Sequence, residues 1–259
     1  MSELGVLHDM MGSPAVEEEE LRRERPVEIL LARHPEVQAN VDGRFVGTGE
    51  SPFTELGERQ CADLAACIAA WKPSSIHTSP RTRAGAVADL AAGMAGVEMH
   101  VDDALAEIDF GAAEGLTYDE AVHNGVDIDL LGGPPEAAPF EDGESWHSFA
   151  VRIAEGAERI ETCGPRIAVV AHGGVVRALL THWLGLSHKA AWRFAVPNAS
   201  VATITLWDGH GTLRTFGMQP GACPWATSCP PVAPLAGEDD DMRTPPDSIG
   251  APLMGPGAG

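Results

Sequence analysis

Apolar runs and helical repeats alternate along residues 26–218. Three short runs have the pattern of buried strands: Val27–Ala32, Ser74–Thr78 and Ile167–Ala171. Four longer segments repeat apolar residues at helical spacing. The first follows Thr54, its predicted N-cap, and continues to Trp71, and the others are Arg81–Met94, Glu144–Cys163 and Val175–Leu184. Two more runs predict a closing hairpin: Ala199–Trp207 and Thr212–Gly217. The alternation predicts an α/β fold, a three-layer α/β/α sandwich with a mostly parallel central sheet.

The two ends of the chain differ in composition from this middle part. Residues 1–25 form a polar, acidic leader, and residues 219–259 are rich in Pro, Gly and Asp. We therefore expect one folded domain over 26–218 with irregular N- and C-terminal extensions. The sequence has no run of 18 apolar residues, and its first residues lack the basic and apolar regions of a secretory signal. We expect a cytoplasmic protein.

The charge balance limits the partners. The 38 acidic residues outnumber the 17 basic ones, which gives a formal net charge of -21. Binding to nucleic acid depends on Lys and Arg that neutralise phosphates, so we expect no nucleic-acid partner, and by the same reasoning no anionic membrane partner. A small anion remains a candidate ligand where Arg and His cluster locally.

The five cysteines do not have the spacing of a zinc site. Cys61, Cys67 and Cys163 lie in helical patterns and are interpreted as core residues. Cys223 and Cys229 lie in a Pro-rich stretch and could form a disulfide or bind a metal, although free thiols are favoured in a reducing compartment. The ten histidines also show no metal-ligand spacing, so we expect no metal and no cofactor.

A histidine follows each of two predicted strands. Arg33 and His34 come directly after the first apolar run, and His172 follows Ile167–Ala171. Ligands of open α/β sheets bind at the carboxyl ends of strands. The glycines after His172, Gly173 and Gly174, would let a helix N-terminus present its free N–H groups to an anion. Either histidine alone would more often be structural, but two in matching positions favour a function.

Arginines follow the third predicted strand. Arg81 and Arg83 stand at the start of a predicted helix, where they are either solvated or ligands of an anion. The helix dipole disfavours cations at an N-terminus unless an anion is nearby. Arginine also matches phosphate oxygens in a bidentate way, so the second interpretation points to a phosphate.

Five segments in chain order carry a family resemblance. They read LARHPEVQANVDGRF, SPFTELGERQ, TSPRTRA, LAEIDFGAAEGLTYDE and VVAHGGVVRAL, and they lie between Val27 and Leu206. Together they resemble the signature of the histidine phosphatase superfamily, the phosphoglycerate mutase-like proteins, and an ordered set of motifs is far more specific than one. The resemblance implies the phosphoglycerate mutase-like sandwich and phosphoryl transfer through a phosphohistidine without a metal.

The resemblance also implies roles for single residues. His34 would be the nucleophile, and Glu107 would be the general acid and later the base. The other residues that it places around the substrate are Arg33, Asn40, Gly47, Arg83, His172, Gly173 and Gly174. Asp109 and Glu114 are rival acids, and Glu107 is favoured because of its place in the matched LAEIDFG loop.

Pro35 is the clearest departure from the family pattern, which has Gly after the histidine. Proline fixes φ and has no N–H to donate, so it would weaken phosphate binding if the family needs either property. We expect Pro35 to be a tolerated variant. The alternative is a catalytically impaired member that binds phospho-ligands or proteins.

Residues 116–150 correspond to a lid or insertion and contain no Lys or Arg. A phosphoglycerate would find no counter-charge there, so a phosphatase is favoured over a mutase-type phosphoryl transferase, which stays the alternative. The segment resembles the phosphatase branch that includes α-ribazole phosphatase and broad-specificity phosphomonoesterases. We expect a small phosphorylated metabolite with a neutral or cationic organic part as the substrate. A homodimer is the candidate assembly.

Overall fold

A six-stranded sheet forms the centre of the computed structural model, which describes residues 26–126, 128 and 136–225. The strand order is β3-β2-β4-β1-β5-β6. The strands are β1 (Val27–Arg33), β2 (Ser75–Thr78), β3 (Met99–Val101), β4 (Arg166–Ala171), β5 (Val201–Trp207) and β6 (His210–Met218).

Four neighbouring strands of this sheet are parallel. β1 pairs with β4, β4 with β2, and β2 with β3 in parallel, whereas β5 is antiparallel to both β1 and β6. The β5–β6 pair is the predicted hairpin. Its turn residues Asp208 and Gly209 have φ of 50° and 74°, the left-handed conformation that two-residue hairpin turns require.

Helices cover both faces of the sheet. They are α1 (Gln38–Val41), α2 (Glu55–Ala70), α3 (Thr82–Ala95), α4 (Tyr118–His123), α5 (Trp146–Glu161) and α6 (Gly173–Trp183). Successive residues of a strand point to opposite faces. Ile29 and Leu31 of β1 accordingly pack with residues of α5 and α6, while Leu30 and Ala32 pack with residues of α2 and α3. The predicted three-layer sandwich is confirmed.

Thr54 caps α2 as predicted, since its side chain accepts a hydrogen bond from the Gly57 N–H at 2.9 Å. Three of these elements were not predicted. α1 has four residues, β3 is only three residues long and half-buried, and α4 has six residues, so none is long enough to show a clear hydrophobic period. α6 begins at Gly173, two residues before the predicted start, and His172 is its N-cap residue.

A satellite core lies under the predicted lid. Ala113, Ala121 and Phe140 are buried there, and Phe45 and Phe110 pack against them. Arg44 ties α4 to this region through an ion pair with Glu120 at 2.6 Å. The described part of residues 116–150 therefore has its own apolar contacts.

The described chain continues past the predicted domain end. A 3-10 turn, Pro220–Ala222, lies beside α2, and Cys223 and Trp225 pack against the core on that face. The predicted leader over 1–25 and the part of the predicted tail from 226 to 259, with Cys229, lie outside the described residues. Among the described residues, no helix is long and apolar enough to span a membrane.

Candidate active site

The parallel pairing of β1 and β4 brings the two predicted histidines together. Arg33 is in register with Ala171, and the His34 N–H donates to the Ala171 carbonyl at 2.9 Å. His34 and His172 therefore leave adjacent strand ends side by side. Their ring centroids are 5.2 Å apart at an interplanar angle of 62°.

His34 is buried and held in one orientation. Its Nδ1 donates to the carbonyl of Pro35 at 2.7 Å, since a carbonyl can only accept. Burial first, and then the charges of Arg33 and Arg83, lower the pKa of His34 well below its usual value. A neutral ring with its proton on Nδ1 has its lone pair on Nε2. Nε2 is thus the atom able to attack an electrophile.

His172 is fully buried, and Ser79 fixes its ring. Its Nε2 lies 2.7 Å from the Ser79 Oγ, and that hydroxyl also accepts from the Arg81 N–H at 3.2 Å. The Ser79 hydroxyl can then donate to Nε2, which leaves the proton of a neutral His172 on Nδ1. Burial, followed by the neighbouring His34 and Arg83, lowers the pKa of His172 well below its usual value.

Two guanidinium groups complete the cluster around His34. Arg33 donates through Nη1 to the carbonyl of Val196. Arg83 is 1% exposed and donates to the carbonyls of Gly49 at 2.8 Å and Gly47 at 3.0 Å. Burial lowers the pKa of Arg33 to about 10, although Glu107 opposes the shift. Both groups remain cationic at neutral pH.

Three buried nitrogen atoms of this cluster are left without a partner among the described residues: Arg33 Nε, Arg83 Nε and His172 Nδ1. The same holds for the buried Nε of Arg81, whose charge acts on His172. Buried polar groups in folded proteins are almost always hydrogen-bonded. Three unsatisfied donors beside a neutral imidazole therefore define a site for an anion that accepts several hydrogen bonds.

Glu107 lies at the N-terminus of α6. Its Oε2 accepts from the Gly174 N–H at 3.0 Å, and its Oε1 accepts from its neighbour Ile108 at 3.1 Å. The Gly174 N–H, which we expect to border the substrate, thus positions this carboxyl group. A Cβ added at Gly174 would lie 2.3 Å from the Glu107 Oε1, so glycine allows this approach.

Asp109 and Glu114 are occupied elsewhere. Asp109 accepts from the Gly111 N–H at 2.8 Å and shapes its own loop. The Glu114 carboxylate accepts from the N–H groups of Gly47 at 3.0 Å and Gly49 at 2.8 Å. Glu114 therefore holds the same loop whose carbonyls bind Arg83. Gly47 thus contacts both residues: its N–H donates to Glu114, and its carbonyl accepts from Arg83.

Asn40 and Pro35 are linked by Asn198. The Asn198 Nδ2 donates to the Asn40 Oδ1 at 2.9 Å and lies 3.3 Å from the carbonyl oxygens of His34 and Pro35. Pro35 keeps the carbonyl that orients His34 and is not among the described residues with positive φ. Proline therefore fits the backbone at this position.

Three residues near the site are not among the predicted ones: Arg177, Arg152 and Asn198. The Arg177 Nη1 and the Arg33 guanidinium both lie within 4 Å of a Cβ built on Gly173. Gly173 and Arg177 are four residues apart on one helix, so helical spacing could have placed Arg177 at the site. Arg152 donates to the Glu107 carbonyl at 3.1 Å and pairs with Glu144 at 2.7 Å. Neither Arg152 nor Asn198 gives a sequence signal.

Among the described residues, no three His, Cys, Asp or Glu side chains are arranged to hold a metal ion. The charge at the site comes from guanidinium groups, which suit an anion with several oxygen atoms.

The sequence of this chain matches a profile of the histidine phosphatase superfamily (branch 1) over residues 29–219. The chain belongs to this superfamily, and the resemblance inferred from its motifs is confirmed.

Among individual relatives, a putative phosphoserine phosphatase 2 of Hydrogenobacter thermophilus is 29% identical over 188 residues, which cover 71% of this chain and 92% of the relative. A probable phosphoglycerate mutase of Cronobacter sakazakii is 30% identical over 69% of this chain and 84% of the relative. A bifunctional protein of Mycobacterium tuberculosis is 29% identical over 74% of this chain, but the match spans only 54% of that protein.

Among solved structures, the α-ribazole phosphatase of Shigella flexneri matches with a TM-score of 0.68 at 24% identity. The match covers 74% of this chain and 96% of that structure. This likeness supports the phosphoglycerate mutase-like fold.

The buried histidines predict a specific dependence of stability on pH. Their pKa values are lower in the folded chain than in the unfolded one, so the unfolded state binds more protons below about pH 6.5. The free energy of unfolding should then fall as the pH decreases from 6.5, by up to about 1.4 kcal/mol per pH unit for each histidine. Between pH 7 and 5, the free energy of unfolding measured with urea should fall less steeply for His34→Gln than for wild type. His123→Gln, at an exposed histidine of α4, is the control, and equal slopes for wild type and His34→Gln would contradict the assignment.

Gly174→Ala tests the position of Glu107. The added Cβ must displace the carboxyl group, and a misplacement of about 1 Å costs on the order of 10²-fold in rate. We expect kcat to fall by about that factor while the melting temperature changes little, because Ala favours a helix more than Gly. Gly93→Ala in α3, where a Cβ meets nothing within 4 Å, is the matched control. Equal activity of the two variants would show that Glu107 does not depend on Gly174.

Proposed function

We propose that this protein hydrolyses phosphomonoesters of small metabolites through a phosphohistidine formed at His34. One observation carries the proposal: a neutral imidazole, with Nε2 as its available nitrogen, lies in a cluster with the buried Arg33 Nε, Arg83 Nε and His172 Nδ1, which have no partner among the described residues. A phosphoryl group supplies both the electrophile and the oxygen atoms that these groups need. Membership of the histidine phosphatase superfamily agrees with this chemistry.

Binding of the phosphate relies on charge that the chain has already buried. The carbonyl of Val196 holds the Arg33 guanidinium, and the carbonyls of Gly47 and Gly49 hold that of Arg83. Both guanidinium groups are therefore preorganised. Their Nε–H groups and the His172 Nδ1–H would bind the equatorial oxygens of the phosphoryl group. Charge-assisted hydrogen bonds of this kind are about twice as strong as neutral ones.

In the first step the His34 Nε2 attacks phosphorus in line with the leaving oxygen. The P–N bond forms as the P–O bond breaks, and Glu107 gives its proton to the leaving alkoxide, which departs as an alcohol. The Pro35 carbonyl stabilises the ring through Nδ1–H as positive charge develops on it.

In the second step water attacks the phosphohistidine, and Glu107 accepts the proton of that water. The P–N bond breaks, inorganic phosphate forms, and His34 returns to its neutral state. Glu107 is therefore ready as an acid again. The contacts of Arg152 with the Glu107 carbonyl and with Glu144 keep the loop in place during both steps.

The residues around the acid favour a leaving group with at most one negative charge, such as an amino acid, and not only the neutral or cationic group expected from the sequence. The segment 116–150 has no Lys or Arg to bind a second phosphate. Arg177, whose Nη1 lies beside Gly173, offers a single cation, enough for one carboxylate. Because a relative is named as a putative phosphoserine phosphatase, phosphoserine is the first substrate to test. A screen of phosphate release should rank it above bisphosphorylated compounds, and transfer without net release from a phosphoglycerate would indicate a mutase instead.

The nucleophile can be tested by trapping the intermediate. Wild-type protein given a radiolabelled phosphomonoester should form an acid-labile, base-stable phosphoprotein, because phosphohistidine hydrolyses in acid. His34→Ala should form none and should lose turnover. His182→Ala, at an exposed histidine in the last turn of α6, should behave as wild type. Labelling of correctly folded His34→Ala would overturn the assignment, and an inactive wild type would favour the impaired, ligand-binding member.

Glu107→Gln separates the general acid from its rivals by the leaving group. An alkyl alkoxide needs a proton as it departs, whereas nitrophenolate does not. The variant should lose about 10²–10⁴-fold on an alkyl phosphate and far less in the first step on nitrophenyl phosphate. Asp109→Asn and Glu114→Gln weaken loop contacts, because an amide oxygen still accepts but carries no charge, so they should slow both substrates alike. A leaving-group dependence in either rival, and not in Glu107→Gln, would show that the acid is misassigned.

A further inference from the structure

Cys67 and Cys223 meet on the face of the sheet opposite α5 and α6. Cys67 is a buried residue of α2, and Cys223 follows the 3-10 turn after β6. Their Sγ atoms are 2.9 Å apart. This is shorter than an ordinary non-bonded carbon contact of about 3.5–4.0 Å and about 0.9 Å longer than a disulfide bond.

The segment around Cys223 is held against α2 by other contacts. The Trp225 Nε1–H donates to the Cys67 Sγ at 2.9 Å, and its ring lies edge-on to Trp71 with centroids 6.4 Å apart. The Cys223 Sγ lies 3.5 Å from the Gln219 carbonyl. The two sulfurs therefore face each other because a packed segment places them there.

We propose that Cys67 and Cys223 form a site of oxidative modification that closes to an intramolecular disulfide. The oxidant is a low-molecular-weight disulfide. The Cys223 thiolate attacks one sulfur of the oxidant and expels one thiolate, which gives a mixed disulfide. The Cys67 thiolate then attacks the Cys223 Sγ and expels the second thiolate. Two protein thiols are oxidised, and one small disulfide is reduced to two thiols.

The order of attack follows from exposure and charge. Cys223 is half-buried and accessible to the oxidant, whereas Cys67 is buried. The Trp225 N–H is directed at the Cys67 sulfur and would stabilise its thiolate for the second attack. Burial and the neighbouring Cys67 raise the pKa of Cys223, so the first attack is slow near neutral pH. We therefore expect oxidation over hours and faster at high pH.

The disulfide would join two distant parts of the chain. Cys67 and Cys223 are 156 residues apart, so the cross-link removes much freedom from the unfolded chain. The free energy gained should raise the melting temperature of the oxidised protein by about 5–10 °C. The link joins α2 to the segment after β6 and includes neither histidine of the site, so phosphatase turnover serves as a check that the fold is intact.

The experiment uses the full chain with oxidised glutathione as the oxidant. No Lys or Arg separates Cys61 from Cys67 or Cys223 from Cys229, so trypsin cannot assign the pair. We therefore use the Cys61→Ala, Cys229→Ser double variant. Oxidation should join its peptides holding residues 67 and 223, consume two thiols and raise the melting temperature, and dithiothreitol should reverse all three changes.

The matched variants decide the outcome. Cys223→Ser added to the double variant should abolish the cross-link and the gain in melting temperature. Cys163→Ser should leave both unchanged, because Cys163 is exposed and not in the core as its sequence pattern indicated. Absence of the 67–223 link in the folded double variant would overturn the proposal. A link of Cys229 to Cys67 or Cys223 in the oxidised wild-type chain, in place of the 67–223 link, would overturn it as well.

Discussion

The parallel register of β1 and β4 is the constraint on which the site depends. It sets Arg33 opposite Ala171, so the next residue of each strand is a histidine at the same edge of the sheet. A shift of one residue would turn the strand side chains to the opposite face and would break both core layers. The packing of Ile29, Leu30 and their neighbours on the two faces therefore also fixes the distance between His34 and His172.

Burial of positive charge is the second requirement. The chain carries a formal net charge of -21, yet Arg33 and Arg83 are packed around a neutral imidazole. Desolvation opposes this arrangement, and Glu107 offsets it through its charge. Under the proposed function, a dianionic phosphate would relieve the remaining repulsion between these cations, which would couple its binding energy to the chemistry proposed at His34. The site is thus locally positive although the chain as a whole is strongly negative.

Strong periodic signals made the fold predictable. Buried apolar runs and the Thr54 cap identify the sheet and α2, and the strand ends locate His34 and His172. The elements and residues that were not predicted are those whose local sequence carries no distinctive pattern. β3 is too short for a period, and Arg152 acts by reaching backbone carbonyls of a loop far along the chain. The Gly174 N–H was expected at the substrate because the sequence does not show that a carboxyl group occupies it.

Pro35 has a consequence for the unfolded chain as well as for the folded site. A residue that precedes proline is biased toward extended backbone, and His34 is that residue, directly after a strand. Proline also restricts its own φ, so fewer conformations are lost when the segment folds. The glycine common in the family would leave more backbone conformations open to the unfolded chain at this position. His34 thus precedes a residue whose backbone is restricted, and fixing the orientation of His34 costs less conformational entropy.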